Sequence, residues 1–293
     1  MNNTPRFALI GFGEVGQILG ADLVKAGAQP TGVYDVRFAD PASAPSRAAA
    51  APLLAANSAA QAVRGAQLVI SAVTAANTLD AAQAACAGLE PGAFFLDVNS
   101  ASPGVKRQAA EAIAGAGGRY VEAAVMTSIP PKRIASPMLL GGPHAQAFLE
   151  LAAPLGFSAQ VYSSDYGRAS AVKMCRSVMV KGLEALFTES LLAARRLGVE
   201  DDVLASLHDT VATDWERLAG YMLTRTLKHG RRRAEEMREA ARTVAEAGVA
   251  PLMASATAER QDLAADLGAG VDLRADLDDL LDAILAKLPP ADS

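Results

Sequence analysis

Phe7-Ala8-Leu9-Ile10-Gly11-Phe12-Gly13-Glu14-Val15-Gly16 is the stretch that decides the fold. Residues 7–11 form a compact apolar run ending in glycine, with the length and make-up of a buried strand. Directly after it, Val15, Ile18, Leu19 and Leu23 recur at helical spacing, and Gly27 stands where a helix C-terminus favours glycine. The glycines between are spaced G-x-G-x-x-G in a strand-to-helix turn. Gly11 allows the tight turn, Gly13 lets backbone approach a pyrophosphate, and Gly16 lets the helix pack closely on the sheet. The helix N-terminus then offers N–H groups and a positive dipole end to the phosphates. The other reading is a glycine-rich turn with no ligand.

A second β-type run, 32–36, contains Asp35. A carboxylate there accepts from ribose hydroxyls and repels a 2′-phosphate, which favours NAD. Arg37 is either a solvated loop arginine or a group that reaches a 2′-phosphate, so NADP stays open. Gly11, Phe12, Gly13, Glu14, Val15, Gly16, Asp35 and Arg37 are thus the candidate dinucleotide contacts. Further runs at 68–73, 94–98 and 120–125 alternate with helical patterns, which implies βαβ units and a mainly parallel sheet of Rossmann type.

The pattern changes near residue 163. Ser163, Ser164 and Asp165 are helix-capping types, and an apolar helical stretch follows over 166–197, closed by Gly198. At 1.5 Å per residue it is roughly 45–50 Å long. Val172, Met174, Val178, Met179, Leu183, Leu186, Phe187 and Leu191 lie on nearly all its sides. Such a helix needs cover from other elements, including a second copy of the chain, so a homodimer is expected. The rest reads as helix throughout. The expected architecture is a dinucleotide-binding α/β domain, 1–163, and an all-α substrate and dimerisation domain, 164–293, joined by a long helix.

Composition narrows the class. In 293 residues the net charge is −5, which provides no global attraction to nucleic acid or anionic membrane. Two cysteines, Cys86 and Cys175, exclude a disulfide framework, and a reducing compartment fits. His144, His208 and His229 lack metal-ligand spacing, so no metal is expected. There is no signal-peptide pattern and no apolar run of about 20 residues, so the expectation is a soluble, cytoplasmic protein.

The order of these motifs resembles the β-hydroxyacid dehydrogenase family, which includes 3-hydroxyisobutyrate and 6-phosphogluconate dehydrogenases. The resemblance covers about residues 6–185. Beyond it, Lys228-His229-Gly230-Arg231-Arg232-Arg233-Ala234-Glu235-Glu236-Met237 resembles a branch of uncharacterised bacterial dehydrogenase-like proteins with a distinct helical C-terminal domain. Ser71-Ala72-Val73-Thr74 matches the family's strand-four turn, which implies that Ala72, Val73 and Thr74 lie on the nicotinamide side. Asp97-Val98-Asn99-Ser100-Ala101-Ser102-Pro103 matches D-x-S-T-x-S-P. That match implies that Asn99 contacts cofactor and that Ser100 orients nicotinamide or substrate. A serine capping the next helix is the purely structural reading, and both can hold.

The family's substrate loop D-A-P-V-S-G-G aligns with Glu122-Ala123-Ala124-Val125-Met126-Thr127-Ser128. Bulkier Met126, Thr127 and Ser128 replace the small residues whose backbone would take a carboxylate, which departs from the standard small β-hydroxyacid. The catalytic stretch G-x-G-x-x-x-K-x-x-N-N aligns with residues 167–177 and implies that Lys173 is the catalytic lysine. Its apolar helix favours the same role, since desolvation disfavours an ammonium and prepares it for proton exchange with a hydroxyl. The plainer reading is a lysine that snorkels to solvent or pairs with a carboxylate. Arg176-Ser177 replaces the asparagine pair, and Arg176 offers a bidentate clamp for a carboxylate. Val180 stands where decarboxylating relatives carry a glutamate, which argues against decarboxylation.

Lys181 and Glu184, three apart, read as a local ion pair. His229, Arg231, Arg232 and Arg233 with Glu235 and Glu236 read either as an anion-binding group or as a solvated charged face. The expected function is hydride transfer between a nicotinamide and the carbinol carbon of a small, carboxylated hydroxy compound, in a cleft between the domains. An imine reductase and a non-catalytic dinucleotide-binding module are the rivals. Lys173 argues against both, because imine-reducing relatives usually lack it and a sensor has no need of it.

Overall fold

The computed structural model describes residues 4–40, 42, 51–210 and 212–288. The chain divides into two compact units, Met1–Met174 and Cys175–Ser293. Residue 163, the boundary expected above, closes the last sheet strand, and the units divide later, inside the helix that follows.

The first unit is built on a seven-stranded sheet. Its strands are β1 (Arg6–Ile10), β2 (Gln29–Tyr34), β3 (Leu68–Ser71), β4 (Phe94–Asp97), β5 (Arg119–Val125), β6 (Met138–Gly141) and β7 (Ala159–Ser163). They lie in the order β2-β1-β3-β4-β5-β6-β7. Only the β5–β6 pairing is antiparallel. Helices α1 (Glu14–Lys25), α2 (Ala59–Ala62), α3 (Thr78–Ala85), α4 (Pro103–Gly115), α5 (Ile129–Lys132) and α6 (Ala145–Ala152) connect the strands. Phe7 and Leu9 enter one core cluster while Ala8 and Ile10 enter another. Both faces of β1 are therefore buried, which is why its run is continuously apolar rather than alternating.

The five strands read from the sequence are present with shifted ends. The second begins earlier than residue 32 and runs through Pro30 and Gly32. Gly32 is needed there because a Cβ would lie 2.6 Å from the Cα of Ala62, so α2 packs directly on the strand. β6 and β7 were not expected. β7 is an edge strand with Val161 and Tyr162 exposed, and it carries no burial pattern to read. The alanine-rich stretch 42–62 lies partly outside the described residues.

The long helix α7 (Arg168–Leu197) ends at Gly198, which takes a left-handed φ of +70° as a helix stop requires. In the second unit it is followed by α8 (Glu200–Thr210), α9 (Trp215–Glu246), α10 (Leu252–Leu267) and α11 (Leu277–Leu285). Helices α9 and α10 touch through backbone. A Cβ on Gly230 would come within 2.3 Å of the Gln261 carbonyl oxygen. Phe187, Leu191, Leu223, Leu280, Leu281 and Ile284 fill this unit's core. Met179, Leu183 and Leu186 on α7 are exposed. Among the described residues no helix is long and apolar enough to cross a membrane.

Candidate active site

Because β1 to β5 are parallel, their carboxyl ends share one edge of the sheet. Every first-unit site residue expected from the sequence, apart from Lys173, lies on that edge: the glycine turn after β1, Asp35 and Arg37 after β2, Ala72–Thr74 after β3, Asn99 and Ser100 after β4, and Met126–Ser128 after β5.

The three glycines of the turn are required for different reasons. Gly11 has a φ of +94°, and a Cβ there would lie 2.3 Å from the Ala72 carbonyl oxygen. Gly16 approaches the Gly11 carbonyl, at 2.1 Å from its own would-be Cβ. Both are demanded by the fold. Gly13 is not. Its φ of −74° suits any residue, and its would-be Cβ meets nothing nearer than the Arg37 guanidinium at 3.9 Å. Gly13 is also the N-cap of α1, and no side chain caps the helix. A helix N-terminus left in this state presents its first N–H groups to whatever lies over the turn.

Asp35 is buried beside this turn. One carboxylate oxygen accepts the Phe12 N–H at 2.8 Å; the other accepts the Arg37 N–H at 2.9 Å and pairs with Arg37 Nε at 3.3 Å. Burial raises its pKa, but the backbone hydrogen bonds from Phe12 and Arg37 and the Arg37 charge outweigh it, and the carboxyl is held below its ordinary value. The group is ionised at neutral pH. Arg37 is ion-paired rather than only solvated.

After β3 and β4 the chain is held by a buried polar network. Asn99 Oδ1 accepts the Val73 N–H at 2.7 Å, and its Nδ2 donates to Ser71 Oγ at 3.0 Å. The Asn99 N–H donates to Asp97 Oδ1 at 2.9 Å. Asp97 also pairs with Lys106 Nζ at 2.9 Å and accepts from Tyr120 Oη at 2.6 Å. Ser102 caps α4 by accepting the Val105 N–H, and Ser100 is half-buried nearby in sequence. Beyond β5, Met126 is half-buried while Thr127 and Ser128 are exposed, and the Met126 N–H donates to the Pro137 carbonyl.

Lys106, Tyr120 and Glu122 were missed as site residues. Lys106 carried a usable signal: with Pro103, Ala110 and Ile113 it falls on the apolar stripe of α4, where a solvated lysine has no place. Glu122, wholly buried on β5, accepts the Gly167 N–H at 2.5 Å and the Ser170 N–H as well. A carboxylate thus holds the first turn of α7, where unpaired N–H groups and the helix dipole both favour negative charge. Lys173 projects from the next turn and is half-buried.

In the second unit two sequence readings change. Lys181 does not pair with Glu184. Its Nζ meets Glu236 at 2.8 Å and Ser177 Oγ at 3.1 Å. Glu184, wholly buried, is gripped bidentately by Arg233 and also meets Arg225 at 3.2 Å and Gln261 at 3.1 Å. A buried carboxylate needs several strong donors, and α9 and α10 supply them where a lysine on the same helix supplies one. The cluster after Lys228 is likewise not one solvated face. Arg231 and Arg232 are exposed and paired with Asp262, Asp266 and Glu236, whereas Arg233 is buried. Arg176 is exposed, Ser177 buried and His229 half-buried.

Comparison with known proteins agrees with this arrangement. Residues 6–160 match the model of the NAD binding domain of 6-phosphogluconate dehydrogenase, and residues 194–263 match a domain of unknown function, DUF1932. A conserved hypothetical protein from Sinorhizobium meliloti is 37% identical, with a TM-score of 0.76 and 97% of each chain covered. The conserved protein MTH1747, described as structurally similar to 3-hydroxyacid dehydrogenases, is 33% identical, with a TM-score of 0.67 over 89% of this chain and 97% of its own. A 3-hydroxyisobutyrate dehydrogenase from Mycobacterium tuberculosis shares the fold at 20% identity and a TM-score of 0.70, over 97% of this chain and 99% of its own. A dinucleotide-binding sheet with its glycine turn, followed by a helical domain, places this chain in the β-hydroxyacid dehydrogenase family of NAD(P)-dependent oxidoreductases.

Proposed function

We propose that the protein transfers a hydride between a nicotinamide dinucleotide and the carbinol carbon of a small, carboxylated hydroxy compound. Gly13 carries this reading. The fold asks for glycine at Gly11 and Gly16 but leaves open space at Gly13, and a ligand lying on the backbone explains why no side chain stands there. The residues fit a dinucleotide. The turn from Gly11 to Gly16 and the N-terminus of α1 hold the pyrophosphate, and Asp35 binds the adenosine ribose. Ionised Asp35 repels a 2′-phosphate and occupies Arg37, so NAD is the preferred form.

When bound, the dinucleotide supplies or takes up the hydride. Lys173 takes the hydroxyl proton during oxidation and returns it during reduction. The hydroxyls of Ser100, Thr127 and Ser128 orient the substrate carboxylate. A screen of hydroxyacids with NAD and NADP, followed by nicotinamide absorbance, tests the reading. Lys173→Ala is expected to abolish turnover while dinucleotide binding survives. Unchanged turnover would remove the mechanism.

We also propose a homodimer. Met179, Leu183 and Leu186 repeat at i, i+4 and i+7 on the exposed part of α7, and a second copy covers them. A Met179→Glu/Leu186→Glu variant is expected to elute as a monomer in size-exclusion chromatography.

A further inference from the structure

The topology sets the direction in which a dinucleotide lies. β2, with Asp35 at its end, flanks β1 on one side, and β3 flanks it on the other. The chain crosses from β2 to β3 over β1, which makes this edge a switch point of the kind where α/β sheets take ligands. On the dinucleotide reading, the adenosine half lies toward Asp35 and the pyrophosphate over Gly13. The other half then extends over the ends of β3 and β4, across the 72–74 turn. That turn also abuts the glycine turn, since Ala72 oxygen is the atom that a Cβ on Gly11 would strike.

Asn99 holds this turn. Its side chain bridges the Val73 N–H and Ser71 Oγ, and its own N–H is anchored on Asp97. Asp97 is fixed in turn by Lys106, whose Nζ also donates to the Asp97 carbonyl at 3.1 Å, and by Tyr120. Lys106 and Asp97 are each only 1% exposed. Taking both charges out of water is costly, and an apolar pair of similar volume would commonly hold the helix to the sheet as well. Burial, and then the Asp97 carboxylate, push the Tyr120 hydroxyl well above its ordinary pKa, so it remains a donor. The cluster is thus a rigid, charge-paired base beneath one backbone turn.

We propose that Asn99 is a positioning residue, held by the buried Asp97–Lys106–Tyr120 cluster, that presents the 72–74 turn to the nicotinamide half of the dinucleotide. The proposal rests on the dinucleotide reading above.

Titration with NADH and with ADP, which lacks the nicotinamide nucleoside, separates the two halves of the dinucleotide. Asn99→Ala should weaken NADH binding about fivefold or more and leave ADP binding within about twofold of wild type. The double variant Asp97→Asn/Lys106→Met removes the charges as a pair and spares Asn99. It should show a smaller loss of the same kind. Equal losses for both ligands would reduce the cluster to general support of the fold and overturn the proposal, as would unchanged NADH binding in both variants. If wild-type protein binds neither ligand, the dinucleotide reading itself fails.

Discussion

Glu122 accepts the backbone N–H of Gly167 at 2.5 Å, so the middle of β5 is tied to the start of the helix that carries Lys173. The same carboxylate accepts from Ser170, and both of its oxygens are therefore used. Glu122→Gln leaves one oxygen and turns an NH2 group toward a backbone donor. The expected cost is about 1.5–3 kcal/mol, the range for a hydrogen bond to a charged group. Urea unfolding measures it, and a midpoint equal to wild type would show that the helix start needs no such tie.

Gly11 and Gly13 should respond oppositely to alanine. At Gly11 the left-handed φ and the contact with Ala72 predict a loss of about 2 kcal/mol or more in stability. At Gly13 the side chain has room, so stability should change by about 1 kcal/mol or less while NADH affinity falls more than about tenfold. Thermal melts alongside fluorescence titration distinguish the two. A Gly13→Ala protein that binds NADH normally contradicts the placement of the pyrophosphate.

Arg233 and Glu184 are both buried, and removing one charge strands the other. Arg233→Met is expected to cost about 3–5 kcal/mol, toward the lower end because Arg225 and Gln261 still reach Glu184. Glu184→Gln/Arg233→Met should recover most of that loss. Denaturant titration of the three proteins checks the coupling, and additive losses would mean that the pair is not a unit.

Lys181 provides a pH test. Burial holds its ammonium below the ordinary lysine value of 10.5, against the opposing pull of Glu236. Between the lowered value and 10.5 the unfolded chain binds the proton more tightly than the native protein does. Stability contributed by this group therefore rises with pH through that window. The stability of wild type relative to Lys181→Met should climb as the pH approaches 10.5. A difference that stays flat with pH would show that burial does not perturb the lysine.

Local pattern reveals what it can encode locally. The run 7–11, the glycine spacing and the helical period after it are legible because strand, turn and helix each impose a short-range rule. Asp35 is legible for the same reason, standing directly after a strand. β7 was illegible because an exposed edge strand carries no alternation. Lys181 was paired with the wrong carboxylate because the i, i+3 rule knows nothing of a glutamate on another helix.

From sequence alone came the class of the first domain, the glycine turn with its acidic neighbour, and the helical character of the second half. All of these follow from periodicity and from glycine's backbone freedom, which act within a few residues. Tertiary structure decided which buried charges meet. Asp97 meets Lys106 from the next helix, nine residues on, while Glu122 with the start of α7 and Glu184 with Arg233 join residues 45 and 49 apart in the chain. A charge taken out of water needs a partner within hydrogen-bond distance, and only the packed fold determines which one is there.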